Sequence, residues 1–117
     1  MIKLKRAYDP PAREDGSRFL VERLWPRGVK KEEAALAGWL KDAAPSAELR
    51  TWYRHDPGRW EQFRRCYLAE LRSNRDALVP LLEAARKGTV TLVLATKDGE
   101  HSGARVLKEY LERRAKR

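Results

Sequence analysis

The sequence predicts a small α/β domain: a few-stranded, partly parallel central sheet flanked by helices, formed by residues 1–117 as one unit. Three observations carry this. Thr89 to Thr96 is a β-branched, nearly continuous apolar run, as expected of a central strand covered on both faces. That run is followed by a polar loop and a helical apolar stripe, the order of an α/β layer with parallel pairing. The length of 117 residues suits one domain, and the 42% hydrophobic content with 4 Trp can supply its core.

Each element has its own local reason. Ile2 to Tyr8 alternates as a strand should and is stopped by Asp9-Pro10-Pro11. Asp15-Gly16 marks a turn, Arg18 to Leu24 reads as a second strand, and Pro26 and Gly28 break the chain after it. Lys30 to Ala43 reads as an amphipathic helix, with Leu36, Trp39 and Leu40 inward. Ser46 can cap a short helix through Leu49, Trp52 and Tyr53. Asp56 can cap the next, with Pro57 in its favoured first position. In that helix Trp60, Phe63, Tyr67 and Leu71 form a core stripe, and Cys66 is expected to be a buried, inert thiol. Asp76 to Lys87 continues as helix to Gly88, with Pro80 predicting a kink or a late start. After the central strand, Ser102 opens a last helix with Val106, Leu107, Tyr110 and Leu111 inward.

Charge and cysteine content narrow the function classes. Cys66 is the single cysteine, so an intramolecular disulfide and a two-cysteine redox pair are excluded. The N-terminal residues lack a signal-peptide core, and no stretch approaches the apolar length of a membrane span. The expectation is a cytoplasmic protein with no membrane partner. The formal net charge of +9 attracts phosphates, nucleic acid or acidic surfaces, although it also serves solubility.

Parallel sheets place ligands outside the carboxyl ends of their strands, which makes two loops the candidate site. After the second strand, Arg23 and Arg27 are candidate anion-binding residues, because a guanidinium fork matches phosphate and carboxylate. Trp25 beside them can stack on a planar ligand, or plug the end of the sheet. After the central strand, Lys97 adds charge near a helix start, Asp98 supports the pocket or caps, and His101 is a candidate for proton transfer. His55 is a second such candidate; Asp56 next to it supports the pocket or simply caps its helix, and His55 can pack on Trp52 or Trp60. No cofactor fingerprint, P-loop, nucleophile elbow or metal-ligand spacing is present.

Three blocks of residues resemble a known family. They are Tyr8-Asp9-Pro10-Pro11 with Asp15-Gly16 and Leu24-Trp25-Pro26-Arg27-Gly28; Ala44-Pro45-Ser46 with Leu49-Arg50-Thr51-Trp52 and His55-Asp56-Pro57; and Val90-Thr91-Leu92 with Lys97-Asp98, His101 and Leu107-Lys108-Glu109-Tyr110-Leu111. Together they are similar to the YeaO-like branch of the bacterial domain of unknown function 488 family, over nearly the whole chain. The resemblance implies an α/β fold and no settled activity. Longer relatives carry a cysteine in the strand before the acidic loop and a Cys-His-Arg segment. This chain has Leu94-Ala95-Thr96 and His101-Ser102-Gly103 there, without cysteine, so thiol chemistry does not carry over.

Three functions remain open. One is an enzyme or binding domain for a small anionic, phosphate- or nucleotide-like ligand at the strand ends. Another is a sequence-tolerant nucleic-acid binder using Arg64, Arg65, Arg72, Arg75, Lys87 and the tail Arg113, Arg114, Lys116 and Arg117. The third is a non-catalytic interaction protein.

Overall fold

The computed structural model describes residues 1–115; Lys116 and Arg117 of the candidate basic surface lie outside them. Strand β1 (Ile2–Arg6), β2 (Ser17–Leu20), β3 (Gly38–Trp39) and β4 (Val90–Leu94) form one sheet in the order β1-β4-β2-β3, and every pairing is parallel. Helices α1 (Lys31–Ala34), α2 (Ala47–Tyr53), α3 (Trp60–Ser73), α4 (Arg75–Lys87) and α5 (Gly103–Ala115) complete it. The fold is the expected α/β domain. All five residues of β4 are buried, as a strand flanked by two neighbours and covered on both faces requires.

The period of 2 along the strands divides the sheet into two unlike faces. Ile2, Phe19, Val90, Leu92 and Leu94 meet the helices in the main core. From α3 this core receives Phe63, Tyr67, Leu68 and Leu71, from α4 Leu78 and Leu81, and from α5 Val106, Leu107, Tyr110 and Leu111. The expected stripes on α3 and α5 are therefore the buried ones, with Trp60 only partly covered. Cys66 departs from its expected burial: it is exposed. At 3.6 residues per turn it points roughly 100° away from the middle of the Phe63–Tyr67–Leu71 stripe, despite being the neighbour of Tyr67.

The second face is thinner and polar at one end. Leu20 and Val93 lie under Trp25, Pro26, Val29 and Leu36 of the connection after β2. Beside them Asp15 (3% exposed) and Arg18 (4% exposed) form a buried ion pair at 2.7 Å. Asp15 also accepts from the Lys5 ammonium at 3.1 Å and the Ala12 N–H at 2.9 Å. Its own carbonyl accepts from the Thr91 hydroxyl at 2.7 Å, and Arg18 Nε donates to the Ala34 carbonyl at 3.0 Å. Burial alone would raise the Asp15 carboxyl; the Ala12 N–H, the Lys5 ammonium and the Arg18 guanidinium outweigh it and bring its pKa down to about 2.

Residues 30–43 differ from the single helix that their pattern predicts. The helix stops after four residues because Ala35 turns left-handed, with φ 51°. Ala37 N–H then donates to the Arg18 carbonyl at 2.6 Å and Leu40 N–H to the Leu20 carbonyl at 2.8 Å, so the segment becomes the edge strand β3. Pairing with an open sheet edge satisfies those backbone groups as well as a helix would. Strand β2 also ends sooner than expected, at Leu20, and α4 begins at Arg75 with the exposed Pro80 inside it.

Two outcomes follow for stability. Asp15→Asn leaves Arg18 buried without its counter-charge and should cost about 3 kcal/mol in urea unfolding. In the wild type the contribution of this carboxylate is complete above its ordinary pKa of 3.8 and is lost as pH falls to about 2. Urea midpoints measured across that interval should fall in the wild type and change less in Asp15→Asn. At Gly16 (φ +64°) an added Cβ would stand 2.1 Å from the Thr89 carbonyl oxygen, which is fixed by a 3.0 Å bond from Ser17 N–H. Gly16→Ala should therefore lose more than about 1 kcal/mol in the same assay.

Candidate functional site

The chain leaving β2 stays extended for one more residue, as Val21 N–H donates to the Val93 carbonyl at 3.2 Å. The Trp39 indole N–H then holds the Glu22 carbonyl at 2.7 Å, so the edge strand β3 fixes the segment that carries Glu22 and Arg23. Opposite stands α2. Ser46 caps it by accepting from Leu49 N–H at 3.2 Å, and Glu70 of α3 holds Ser46 in turn through its N–H at 2.9 Å and its hydroxyl at 2.6 Å. These anchors set Arg50 and Tyr53 facing the end of the sheet.

Helix α2 ends in two successive left-handed residues, Arg54 (φ 48°) and His55 (φ 56°). Arg54 N–H still closes on the Arg50 carbonyl at 3.0 Å. Each such conformation costs about 1–3 kcal/mol in a non-glycine residue unless its surroundings hold it. The reversal turns the chain back toward α3. Asp56 then caps the Pro57–Arg59 turn by accepting from Gly58 N–H at 2.9 Å, as expected of it.

Between these walls lies a cavity of about 260 Å³ at the carboxyl ends of β2 and β4. Its polar lining is Glu22, Arg23, Arg50, Thr51, His55 and Thr96, while Val21, Phe63 and Ala104 are among its apolar walls. The first residues of α5, Gly103 and Ala104, close one side. Gly103 is needed where it is: a Cβ there would come within 3.0 Å of Pro45, another wall residue.

The electrostatics of the cavity are unbalanced toward positive charge. The Nε atoms of Arg23 and Arg50 are buried without a hydrogen-bond partner. Among the ion pairs of the described residues, none involves Arg23, Arg50 or Glu22. Glu22 Oε1 accepts one long bond, 3.4 Å, from Ala95 N–H. Burial raises the Glu22 carboxyl above its ordinary range, against that N–H and the nearby Arg50 and His55. Burial also raises the Tyr53 phenol, whose hydroxyl donates to the His101 carbonyl at 2.7 Å and ties α2 to the loop before α5.

Two of the candidate residues thus meet: Arg23 and His55 share this cavity. His55 packs on Tyr53, with ring centroids 5.8 Å apart, rather than on either tryptophan. Arg27 and Lys97 are exposed and lie outside the lining, although Lys97 directly follows the lining residue Thr96. Trp25 faces the other side of the sheet, donating from its indole to the Val29 carbonyl at 2.7 Å and meeting Trp39 edge-on at 5.4 Å. His101 and Asp98 pair with each other at 2.8 Å. The His101 ring, and next the backbone N–H groups of the loop, hold the exposed Asp98 carboxyl below its usual range. That ring stands edge-on to Trp60 at 5.2 Å and lines a separate groove with Glu61, Arg64 and Glu109.

Arg50 and Glu22 are the charged lining residues that sequence reasoning missed, with Thr51 and Thr96 beside them. A faint signal existed for Arg50: it sits between Leu49 and Tyr53, the buried positions of α2, and so near the inward side. Glu22 follows the strand and carried none. Among the described residues, no three His, Cys, Asp or Glu side chains are grouped to hold a metal ion, and no helix is long and apolar enough to cross a membrane.

Comparison with known proteins agrees with this architecture and its residue blocks. Residues 1–117 match the family described as the inactive DUF488-N3 subclade, DUF488-N3i. The chain is 41% identical over 110 residues to YeaO of Escherichia coli K12, covering 94% of this chain and 96% of the relative. It is 39% identical over 113 residues to Rv3073c of Mycobacterium tuberculosis H37Rv, covering 97% of this chain and 95% of the relative. Both relatives bear the name uncharacterized protein. No solved structure matches the chain. The chain belongs to the DUF488 family, in its YeaO-like branch.

Proposed function

We propose that this chain is a binding domain for a small anionic, phosphate- or nucleotide-like ligand, held in the cavity at the strand ends. The observation behind this reading is the pair of arginines, Arg23 and Arg50, whose buried Nε atoms have no protein partner on one cavity wall. Native structures satisfy nearly all buried donors; of the four buried arginine nitrogens without a partner among the described residues, two belong to arginines that line this one space, which favours an acceptor that arrives with the ligand. A guanidinium keeps its charge at any working pH and offers parallel donors to an oxyanion. His55 and Thr51 complete the polar wall. Lys97, one residue beyond Thr96, adds attraction beside the mouth, and Arg27 contributes to the overall positive field rather than to contact. The word inactive in the family's description favours binding over turnover, with His55 and His101 as the residues to test for proton transfer if turnover is found.

A ligand at a hundred times its Kd would stabilise the fold by about 2.7 kcal/mol, a rise of several degrees in Tm. Thermal-shift titration with inorganic phosphate and with a nucleoside monophosphate should give such a rise. Arg50→Ala and Arg23→Ala should each weaken it about tenfold or more, the worth of a charge-assisted hydrogen bond, while Arg27→Ala should leave it unchanged. Because neither Nε has a protein partner, neither variant should lower the ligand-free Tm. If none of these anions shifts the wild type, the reading fails.

A second reading rests on Arg72, Arg113 and Arg114, which gather along one groove with Leu68 and Tyr110 between α3 and α5. It would make that face a sequence-tolerant nucleic-acid surface. Affinity for single- or double-stranded DNA should then fall steeply with salt. Absence of a mobility shift at low salt would dispose of it. Less of the charge is free than the composition suggests: Arg64 and Arg113 share Glu109, and Arg114 lies over the Tyr110 ring at 5.0 Å.

A further inference from the structure

Glu22 is an odd residue to find beside an anion. It lines the same cavity as Arg23 and Arg50, yet it is in an ion pair with neither. Its backbone is pinned through the Trp39 indole, which holds the Cα of Glu22 at the cavity rim. Its one protein hydrogen bond, from Ala95, is 3.4 Å long and uses a single oxygen. An ionised carboxylate only accepts hydrogen bonds. A ligand that brings only acceptors would therefore set lone pair against lone pair at Glu22 while satisfying the arginines.

We infer that Glu22 makes the cavity selective for an oxyanion that carries its own acidic hydroxyl, the protonated form of phosphate or of a phosphate monoester. This inference rests on the anion-binding reading above. The ligand hydroxyl donates to Glu22, and its unprotonated oxygens accept from Arg23 and Arg50. The fit satisfies all three protein groups at once. Sulfate has the same tetrahedral shape but no proton at neutral pH, so it leaves Glu22 facing an oxygen. Sites built around one hydrogen bond from the ligand reject isosteres lacking it by large factors, because their own buried polar group is left unpaired. The cavity of about 260 Å³ exceeds what a bare tetrahedral ion needs, given about 30 Å³ for each water in the liquid. Its apolar walls, Val21, Phe63 and Ala104, give a small organic substituent a place to lie.

The test compares inorganic phosphate with sodium sulfate at pH 7 and constant ionic strength, by thermal shift and calorimetry on the full chain. Phosphate should bind at least tenfold more tightly than sulfate. Glu22→Gln supplies an amide that can donate to sulfate, so the ratio should shrink to within a few-fold, mainly through a gain for sulfate. A third arm, phenyl phosphate at pH 6, where about half of a monoester keeps its proton, names the source. Tighter binding than inorganic phosphate at that pH assigns the site to monoesters, and equal or weaker binding to the free ion; both agree with selection through the hydroxyl. Equal binding of phosphate and sulfate to the wild type, or a ratio untouched by Glu22→Gln, overturns the inference and leaves anion binding standing. No binding of either ion, of phenyl phosphate or of a nucleoside monophosphate removes both.

Discussion

Asp15 is the residue through which three of the four strands are joined, two by its buried carboxylate and one by its backbone carbonyl. Lys5 reaches it from β1 and Arg18 from β2, and Thr91 of β4 bonds its backbone carbonyl. A parallel sheet usually gains such cohesion from helices on both faces, but the second face here is covered only by a short connection. The charge cluster does what a missing helix would otherwise do at that end. Arg18 extends it further by holding the Ala34 carbonyl, which ends α1 and sends the chain into β3. Through β3 the same chain of contacts reaches Trp39 and hence the Glu22 carbonyl. The geometry of the cavity at the top of the sheet is thus inherited from an ion pair below it.

That arrangement separates two uses of arginine in one small domain. Arg18 is buried with a carboxylate at 2.7 Å, and its role is mechanical. Arg23 and Arg50 are partly buried, have no carboxylate within ion-pairing distance and face a void. Burying a cation without a partner costs free energy, a cost that an incoming acceptor would offset. The strain of two left-handed residues at Arg54 and His55 sits on the same wall. Of the four buried arginine nitrogens without a partner among the described residues, those of Arg23 and Arg50 belong to this wall, and those of Arg6 and Arg18 lie elsewhere.

How far the sequence was legible depended on whether local and tertiary demands agreed. Strand β4 and helices α3 and α5 were legible because their apolar periods matched the faces they bury. So were the caps at Ser46 and Asp56, where one side chain satisfies one nearby N–H. Residues 30–43 were not, because Leu36, Trp39 and Leu40 fit a helical stripe as well as an edge strand, and only the open edge of β2 decides between them. Cys66 was misjudged from its neighbour Tyr67 rather than from its angle on the helix. Arg23 was reachable by the rule that ligands bind at strand ends, and His55 through the His55-Asp56-Pro57 block rather than through that rule. Arg50 was not, since it comes from a helix that reaches that end only through the Glu70–Ser46 contact, 24 residues apart in sequence.

The sheet order carries a consequence for how the protein is made. The strand between β1 and β2 is the one synthesised last, so residues 2–6 and 17–20 have no lateral partner for each other until residues 90–94 arrive. Their open backbone groups must wait through most of translation. During that interval Lys3, Lys5, Arg6 and Arg18 keep the nascent segments charged, which discourages pairing with other chains. The helices between can form early from local contacts, but closure of the sheet is a late, long-range event. A ribosome stalled before residue 90 would hold a chain with helices and no more sheet than the β2–β3 pair, and the ion cluster at Asp15 would be waiting for its third strand.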